Sequence, residues 1–394
     1  MNSQSFDGFA TFRVEDRAAP VESMASDGVP VVDIGCFLDP NGNPAEVEKA
    51  CAAVAEALHL YGCLVVRDSR CAASKNEEFL DMMERYFEQA DGSSDARPEL
   101  SYQVGVTPSD VEKAREHCTL AKQLSEQGHG PISDCPPRPD AKWRFFWRIG
   151  ARPTETAFQE LNAPAVVPDA FQEEWAPKMD GWGESVISTA HTVAEMAALG
   201  FGVERDAFSK NMTCGPHLLA PTGSDLGKLA DLEVAEDAAL TKVPRQPGDD
   251  VVLGTVLAGF HYDLNFLTVH GKSRFPGLTV WRRDGVAVQP KIPEGCLFVQ
   301  AGIQLEHLTG GHVKAGFHEV IATKATAAAA KKAKADGKRT WRVSSTCFAH
   351  VASDFVLEPL PGSRFDTPEA RAKFPPVKAG DSVMNELRAI GLAV

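Results

Sequence analysis

The apolar run Ala258-Gly259-Phe260-His261-Tyr262-Asp263-Leu264-Asn265 sets an imidazole and a carboxylate two residues apart. Alternate residues of a β-strand share a face, so His261 and Asp263 point the same way. So placed, they offer two adjacent ligands to a divalent metal, and one ligand from another strand completes a face. Two histidines of a later strand-like segment, His312 and His318, compete for that third place. They are an even number of residues apart, so a regular strand turns both inward and periodicity does not choose. Further on, in Thr340-Trp341-Arg342-Val343-Ser344, a guanidinium and a hydroxyl again share a face. An inward arginine is costly without an anion, and its planar fork fits a carboxylate that the serine can also hydrogen-bond. The pattern implies a metal centre beside a carboxylate-bearing ligand.

H-x-D alone means little, since roughly 0.7 such triplets arise by chance in a chain with this many histidines. The ordered set carries the weight. H-x-D, a histidine about fifty-five residues on, and then R-x-S resembles the Fe(II)- and 2-oxoglutarate-dependent dioxygenases of the isopenicillin N synthase-like family. The resemblance selects His318 over His312. It implies that His261, Asp263 and His318 bind Fe(II), that Arg342 and Ser344 hold the far carboxylate of 2-oxoglutarate, and that O2 is the oxidant. The activity implied is oxidation of a small metabolite, amino-acid-derived in our reading, by hydroxylation, desaturation or cyclisation, with release of succinate and CO2. Two alternatives stand beside it. One is an oxidase of the same fold in which Arg342 and Ser344 hold the substrate's own carboxylate; the other is a non-catalytic jelly-roll sensor. Zinc-type cupin isomerases fit less well, because they start from H-x-H.

Strands must position these residues. Gly277–Trp281 and Val286–Val288 flank an Asp284-Gly285 turn signal, and Cys296–Gln300 follows closely. Strands at such intervals indicate an antiparallel double-stranded β-helix, or jelly roll. The fold class expected is therefore α+β: a jelly-roll core with flanking helices from an N-terminal region. The division reads as an extension over 1–28, a mixed helical and strand region over 29–210, the core over 211–360, and a tail with a helix over 361–394. Twenty-four residues separate His318 from Arg342, more than the family's usual ten or so, and the Ala- and Lys-rich run 323–339 accounts for them as an inserted surface helix.

In the N-terminal region, Val29–Ile34 and Cys63–Val66 read as strands around a helix capped by Asn43 with Pro44 at its first position. Ser74 with Glu77 and Ser109 with Glu112 read as capping boxes, and Trp182–Leu199 as a long helix closed by Gly200. In Lys142-Trp143-Arg144-Phe145-Phe146-Trp147-Arg148, alternation puts aromatics on one side and Arg144 or Arg148 toward a site. Arg148, His217 and Asn265 are assigned to the substrate side. The acidic segment 225–250 is longer than the family's usual connection and reads as a lid. The C-terminal helix, with Val383, Met384, Leu387 and Ile390 on one side, closes the barrel mouth or forms a dimer contact.

A net charge of −14 argues against a nucleic-acid backbone as partner. Nine cysteines without C-x-x-C pairing read as reduced thiols. With no signal peptide and no apolar run of membrane length, the expected location is cytoplasmic. The expected partner is a small-molecule substrate, without membrane or nucleic acid, and the expected state a monomer or weak homodimer.

Overall fold

The computed structural model describes residues 28–91, 94–235 and 237–392; the proposed extension over 1–28 lies outside them except for Gly28. Two sheets face each other. In the larger, nine strands lie side by side in the order Val31–Asp33, Cys63–Arg67, Cys296–Ala301, Leu267–Gly271, Ser345–Ala349, Leu218–Leu219, Trp143–Arg148, Thr222–Asp225 and Trp341–Val343, and Gly105–Thr107 pairs with Trp143–Arg148. The smaller runs Ala287–Val288, Leu278–Trp281, Phe317–Ile321, Val256–His261. Apart from the parallel pair at the edge, Val31–Asp33 with Cys63–Arg67, the pairings are antiparallel. Strands of the N-terminal half thus enter the same sheet as strands of the core.

Three helices back the larger sheet. In Pro44–Tyr61 the Asn43 side chain accepts from the Ala45 N–H at 3.0 Å, satisfying one of the orphan donors of the first turn. It ends at Gly62, whose φ of 68° is open to glycine at little cost. Its buried Val54, Ala57 and Leu58 pack on Trp175–Gly200, and Ala73–Gln89 joins them in the main core. Burying a side chain the size of Val54 or Leu58 contributes about 1.5–3 kcal/mol.

Several elements differ from expectation. The long helix begins at Trp175, not Trp182. Gly183 lets the helix approach its neighbour: a Cβ there would meet Ile149 Cδ1 at 2.3 Å. Neither capping box forms. Ala73–Gln89 has Ala72 at its cap without a side-chain bond, and Ser109 donates to Asp110 in a loop while Glu112 turns inward. The inserted helix is present as Lys324–Ala335, started by a Thr323–Thr326 capping box. Its Ala327 and Ala330 pack on Leu226 and Leu229, while Lys331 and Lys334 pair with Glu233 and Asp231 at 2.6 Å each. Its basic face therefore meets this chain's own acidic segment. That segment, 225–250, supplies no cavity-lining residue among those described. The Asp284-Gly285 turn forms as read, with the Arg282 N–H donating to Val286 O. Finally, Cys118 and Cys135 form a disulfide, which corrects the expectation of nine reduced thiols; the other seven form no disulfide. No described helix is long and apolar enough to cross a membrane.

Candidate functional site

The two sheets enclose a cavity of about 500 Å³, and the residues singled out by motif meet on its wall. His261 ends one strand of the smaller sheet and His318 lies directly opposite it on the next, in register. Asp263 follows where the chain leaves the strand. Its Oδ1 is 3.7 Å from His261 Nε2 and 3.9 Å from His318 Nε2, and one ligand atom from each of the three lies within 4.8 Å of the others. Each ring is held from behind: His261 Nδ1 donates to Gly259 O at 2.5 Å and His318 Nδ1 to Gly316 O at 3.3 Å, with the proton on Nδ1. That leaves both Nε2 atoms free to ligate. Two imidazoles and one carboxylate on one face are the donor set of a ferrous site with open positions, so the residues fit Fe(II).

Thr268 fixes the carboxylate. Its hydroxyl donates to Asp263 Oδ2 at 2.5 Å and lies 3.2 Å from Asn265 Oδ1, while Asn265 Nδ2 donates to Leu267 O. Asn265, assigned above to the substrate, lines the cavity but spends its polar atoms on this network. Burial alone would raise the Asp263 carboxyl; the nearby His318 and His261 and the Thr268 hydroxyl outweigh it and hold it below the usual range.

At the other end lies Arg342, 6 % exposed. Its one hydrogen bond is from Nε to Pro276 O at 3.4 Å, and no acid pairs with it among the described residues. Burial brings its guanidinium down to about 10. Gly277 makes the space beside it: with φ at +142°, a Cβ there would meet Ile321 O at 2.6 Å. Ser344 lines the same end, its Oγ accepting from the Thr222 N–H at 2.9 Å and bonded to the Thr222 and Thr346 hydroxyls. A buried cation without a counter-ion beside ordered hydroxyls is built for an anion.

Another stretch of the wall carries a buried four-charge cluster. Lys142 Nζ is 2.7 Å from Asp140 Oδ2 and 3.3 Å from Glu112 Oε1, Arg144 pairs with Glu112, and Asp140 Oδ1 accepts from the Gly259 N–H at 2.8 Å. Burial would raise Glu112; Arg144, then Lys142 and His261, pull it down to about 2. Arg144 also lies over the Phe146 ring at 3.9 Å. Of the two arginines in that strand, Arg144 is thus the one at the cavity. Arg148 is turned away, bonded to Ile149 O, Ala151 O and Cys214 O, and does not line it. His217 is likewise displaced: buried, its Nδ1 accepts from the His350 N–H at 3.1 Å behind the wall. The structure therefore places neither Arg148 nor His217 on the cavity wall: two of the Arg148 nitrogens and the His217 Nδ1 are taken up by neighbouring backbone.

Sequence reading missed His350. Alternation along the strand puts Arg342, Ser344, Thr346, Phe348 and His350 all on the cavity, and extending the R-x-S period would have found it. The mouth is covered by the C-terminal helix Ala379–Ala389, from which Val383 and Leu387 face inward, while Glu386 pairs with Arg115.

The family model for the 2OG-Fe(II) oxygenase superfamily matches residues 236–351. The chain is 24% identical over 222 residues to kihadalactone A synthase LFS of Citrus sinensis, an alignment covering 55% of each, so it spans about half the length of that curated relative. Among solved structures, a full-length Neurospora crassa protein in complex with alpha-KG and thymine is 17% identical with a TM-score of 0.63, covering 93% of this chain and 98% of that one. The rice dioxygenase for auxin oxidation is 16% identical with a TM-score of 0.57, covering 91% and 95%. At these identities the solved structures establish a shared fold.

Proposed function

We propose that the protein is an Fe(II)- and 2-oxoglutarate-dependent dioxygenase acting on a small organic molecule, a reading supported by the match of the 2OG-Fe(II) oxygenase superfamily model to residues 236–351. The observation that carries the proposal is Arg342, a buried guanidinium without an acid that shares its cavity with the His261–Asp263–His318 cluster. In this reading the three residues hold Fe(II), and Arg342 with Ser344 holds the far carboxylate of 2-oxoglutarate. With Fe(II) held there, O2 would be the oxidant: 2-oxoglutarate would give two of the electrons as it becomes succinate and CO2, and the substrate would give the other two as it is oxidised.

The chain's own residues position and protect. Thr268 orients the Asp263 carboxylate; the carbonyls of Gly259 and Gly316 fix the imidazole tautomers. Arg342 sets the depth at which a dicarboxylate can sit. Phe146, Leu218 and Phe348, with Leu387 of the C-terminal helix, line the remaining space with apolar surface and exclude water from it. Hydroxylation is the outcome we assign. The alpha-KG and thymine in the Neurospora crassa complex support a small-molecule substrate here by analogy of fold.

The test is succinate release from Fe(II)-loaded protein given 2-oxoglutarate and O2. Wild type should release succinate slowly without substrate, while Asp263→Ala and Arg342→Met should release none above the protein-free control. Equal release from Arg342→Met would refute the assignment of that residue.

A further inference from the structure

The buried charges of the cavity wall are paired or already assigned. Glu112 is paired with Arg144 and Lys142, Lys142 also with Asp140, and Glu386 with Arg115. Asp263 belongs to the metal-binding cluster and Arg342 to the dicarboxylate end. The further lysines of the wall, Lys113, Lys272 and Lys291, are exposed to solvent. A charged group brought into the interior would leave water and find no free counter-charge, a cost that protein interiors do not repay. A zwitterionic amino acid is therefore a poor fit.

Within the ion pairs Arg144 Nε and Glu112 Oε2 lack a hydrogen bond, and among the neutral groups of the wall His350 offers a donor. His350 is 6 % exposed and lines the cavity. Its tautomer is set by two bonds: the Val351 N–H donates to Gln304 Oε1 at 3.0 Å, so the Gln304 amide nitrogen faces His350 Nδ1, at 3.5 Å. An amide nitrogen only donates, so Nδ1 accepts and the proton of the neutral ring sits on Nε2. No partner for that Nε2–H is present among the described residues. Phe348 precedes it on the same face, and Phe146 meets Phe348 edge to face at 6.1 Å between ring centres.

Resting on the dioxygenase reading, we propose that the substrate is an uncharged, largely apolar molecule whose polar anchor is an oxygen acceptor, a carbonyl or ether, bound by His350 Nε2–H. His350 is then a specificity-determining residue; the Glu112–Arg144–Lys142–Asp140 cluster acts by its neutrality.

Anaerobic titration calorimetry on the Fe(II)- and 2-oxoglutarate-loaded protein tests this with three probes on one skeleton: 1-adamantyl methyl ketone, adamantane-1-carboxylate and (1-adamantyl)methylammonium. The ketone should bind at least tenfold more tightly than either ion. In His350→Leu the ketone should weaken about fivefold, the worth of one hydrogen bond, and His350→Gln, which keeps a donor, should restore most of it. Titration of 2-oxoglutarate into the Fe(II)-loaded variants should match wild type within twofold, which shows that the fold and the dicarboxylate end are intact. Either ion binding as tightly as the ketone, or no heat from the ketone, overturns the proposal. So does ketone affinity unchanged in His350→Leu. Loss of 2-oxoglutarate binding in wild type would refute the dioxygenase reading instead.

Discussion

Replacing Arg342 by methionine should stabilise the ligand-free protein while removing its response to 2-oxoglutarate. The guanidinium is 6 % exposed, has no acid beside it among the described residues, and is brought by burial well below the ordinary arginine range, to about 10. At about 1.4 kcal/mol per pH unit, keeping it charged costs about 3 kcal/mol. The sign is that of a buried base: the neutral form is favoured by the fold, yet at pH 7 the group is still charged, so the cost is borne throughout the physiological range. Methionine has similar length and no charge, and it fills irregular space with little strain. Allowing for the lost bond to Pro276 O and for imperfect packing, a net gain of about 1–2 kcal/mol is expected. Urea denaturation of the metal-free proteins at pH 7 measures it. In the metal-loaded form, 2-oxoglutarate at a hundredfold excess over its Kd should add about 2.7 kcal/mol to wild type and nothing to the variant. A variant that is less stable by more than 1 kcal/mol and still stabilised by 2-oxoglutarate would refute the reasoning.

Thr268→Val removes the hydroxyl that holds Asp263 Oδ2, and metal affinity should fall about 10- to 100-fold in a competition titration against a chelator of known affinity. Breaking the Cys118–Cys135 link, with its sequence separation of 17, should cost about 3 kcal/mol on the chain-entropy account; Cys118→Ser and wild type in reductant should show the same lowered Tm, and neither should lose more on further reduction. Burial first, then Arg148, lowers His350 to about 3 against an ordinary 6.5, while Asp263 opposes the shift. Its unfolded state then binds more protons between those values, so stability falls as pH drops from 7 to 5. In His350→Gln that fall should be smaller by about 1–2 kcal/mol, read from urea midpoints at the two pH values.

The candidate metal cluster was legible because its geometry is short-range: His261 closes a strand and Asp263 follows two residues on, and the family resemblance supplied His318 and Arg342. The same reasoning found the Asn43 cap, the Asp284-Gly285 turn and the inserted helix. It failed where long-range pairing outbids a local pattern. Glu112 reads as the fourth residue of a capping box, but Arg144 and Lys142 draw it into the cavity wall. Arg144 and Arg148 have equal claims in sequence; only the fold shows that Arg148 is consumed by backbone carbonyls. His217 and His350 are both apolar-segment histidines, and which one faces the cavity depends on which strand lies in front. The Cys118–Cys135 pair leaves no spacing signal, because its closeness comes from a loop that Glu319 gathers by accepting from Ile132 and Ser133 N–H groups at 3.0 and 3.1 Å.

The central claim is that one cavity holds metal and 2-oxoglutarate together, with Arg342 fixing the second. Anaerobic calorimetric titration of 2-oxoglutarate into wild-type protein with and without Fe(II), and into Fe(II)-loaded Arg342→Met, tests it most directly. The account predicts one binding event per chain that needs Fe(II) and weakens at least a hundredfold in the variant. Binding of equal strength with and without the metal, or in Arg342→Met, would contradict it.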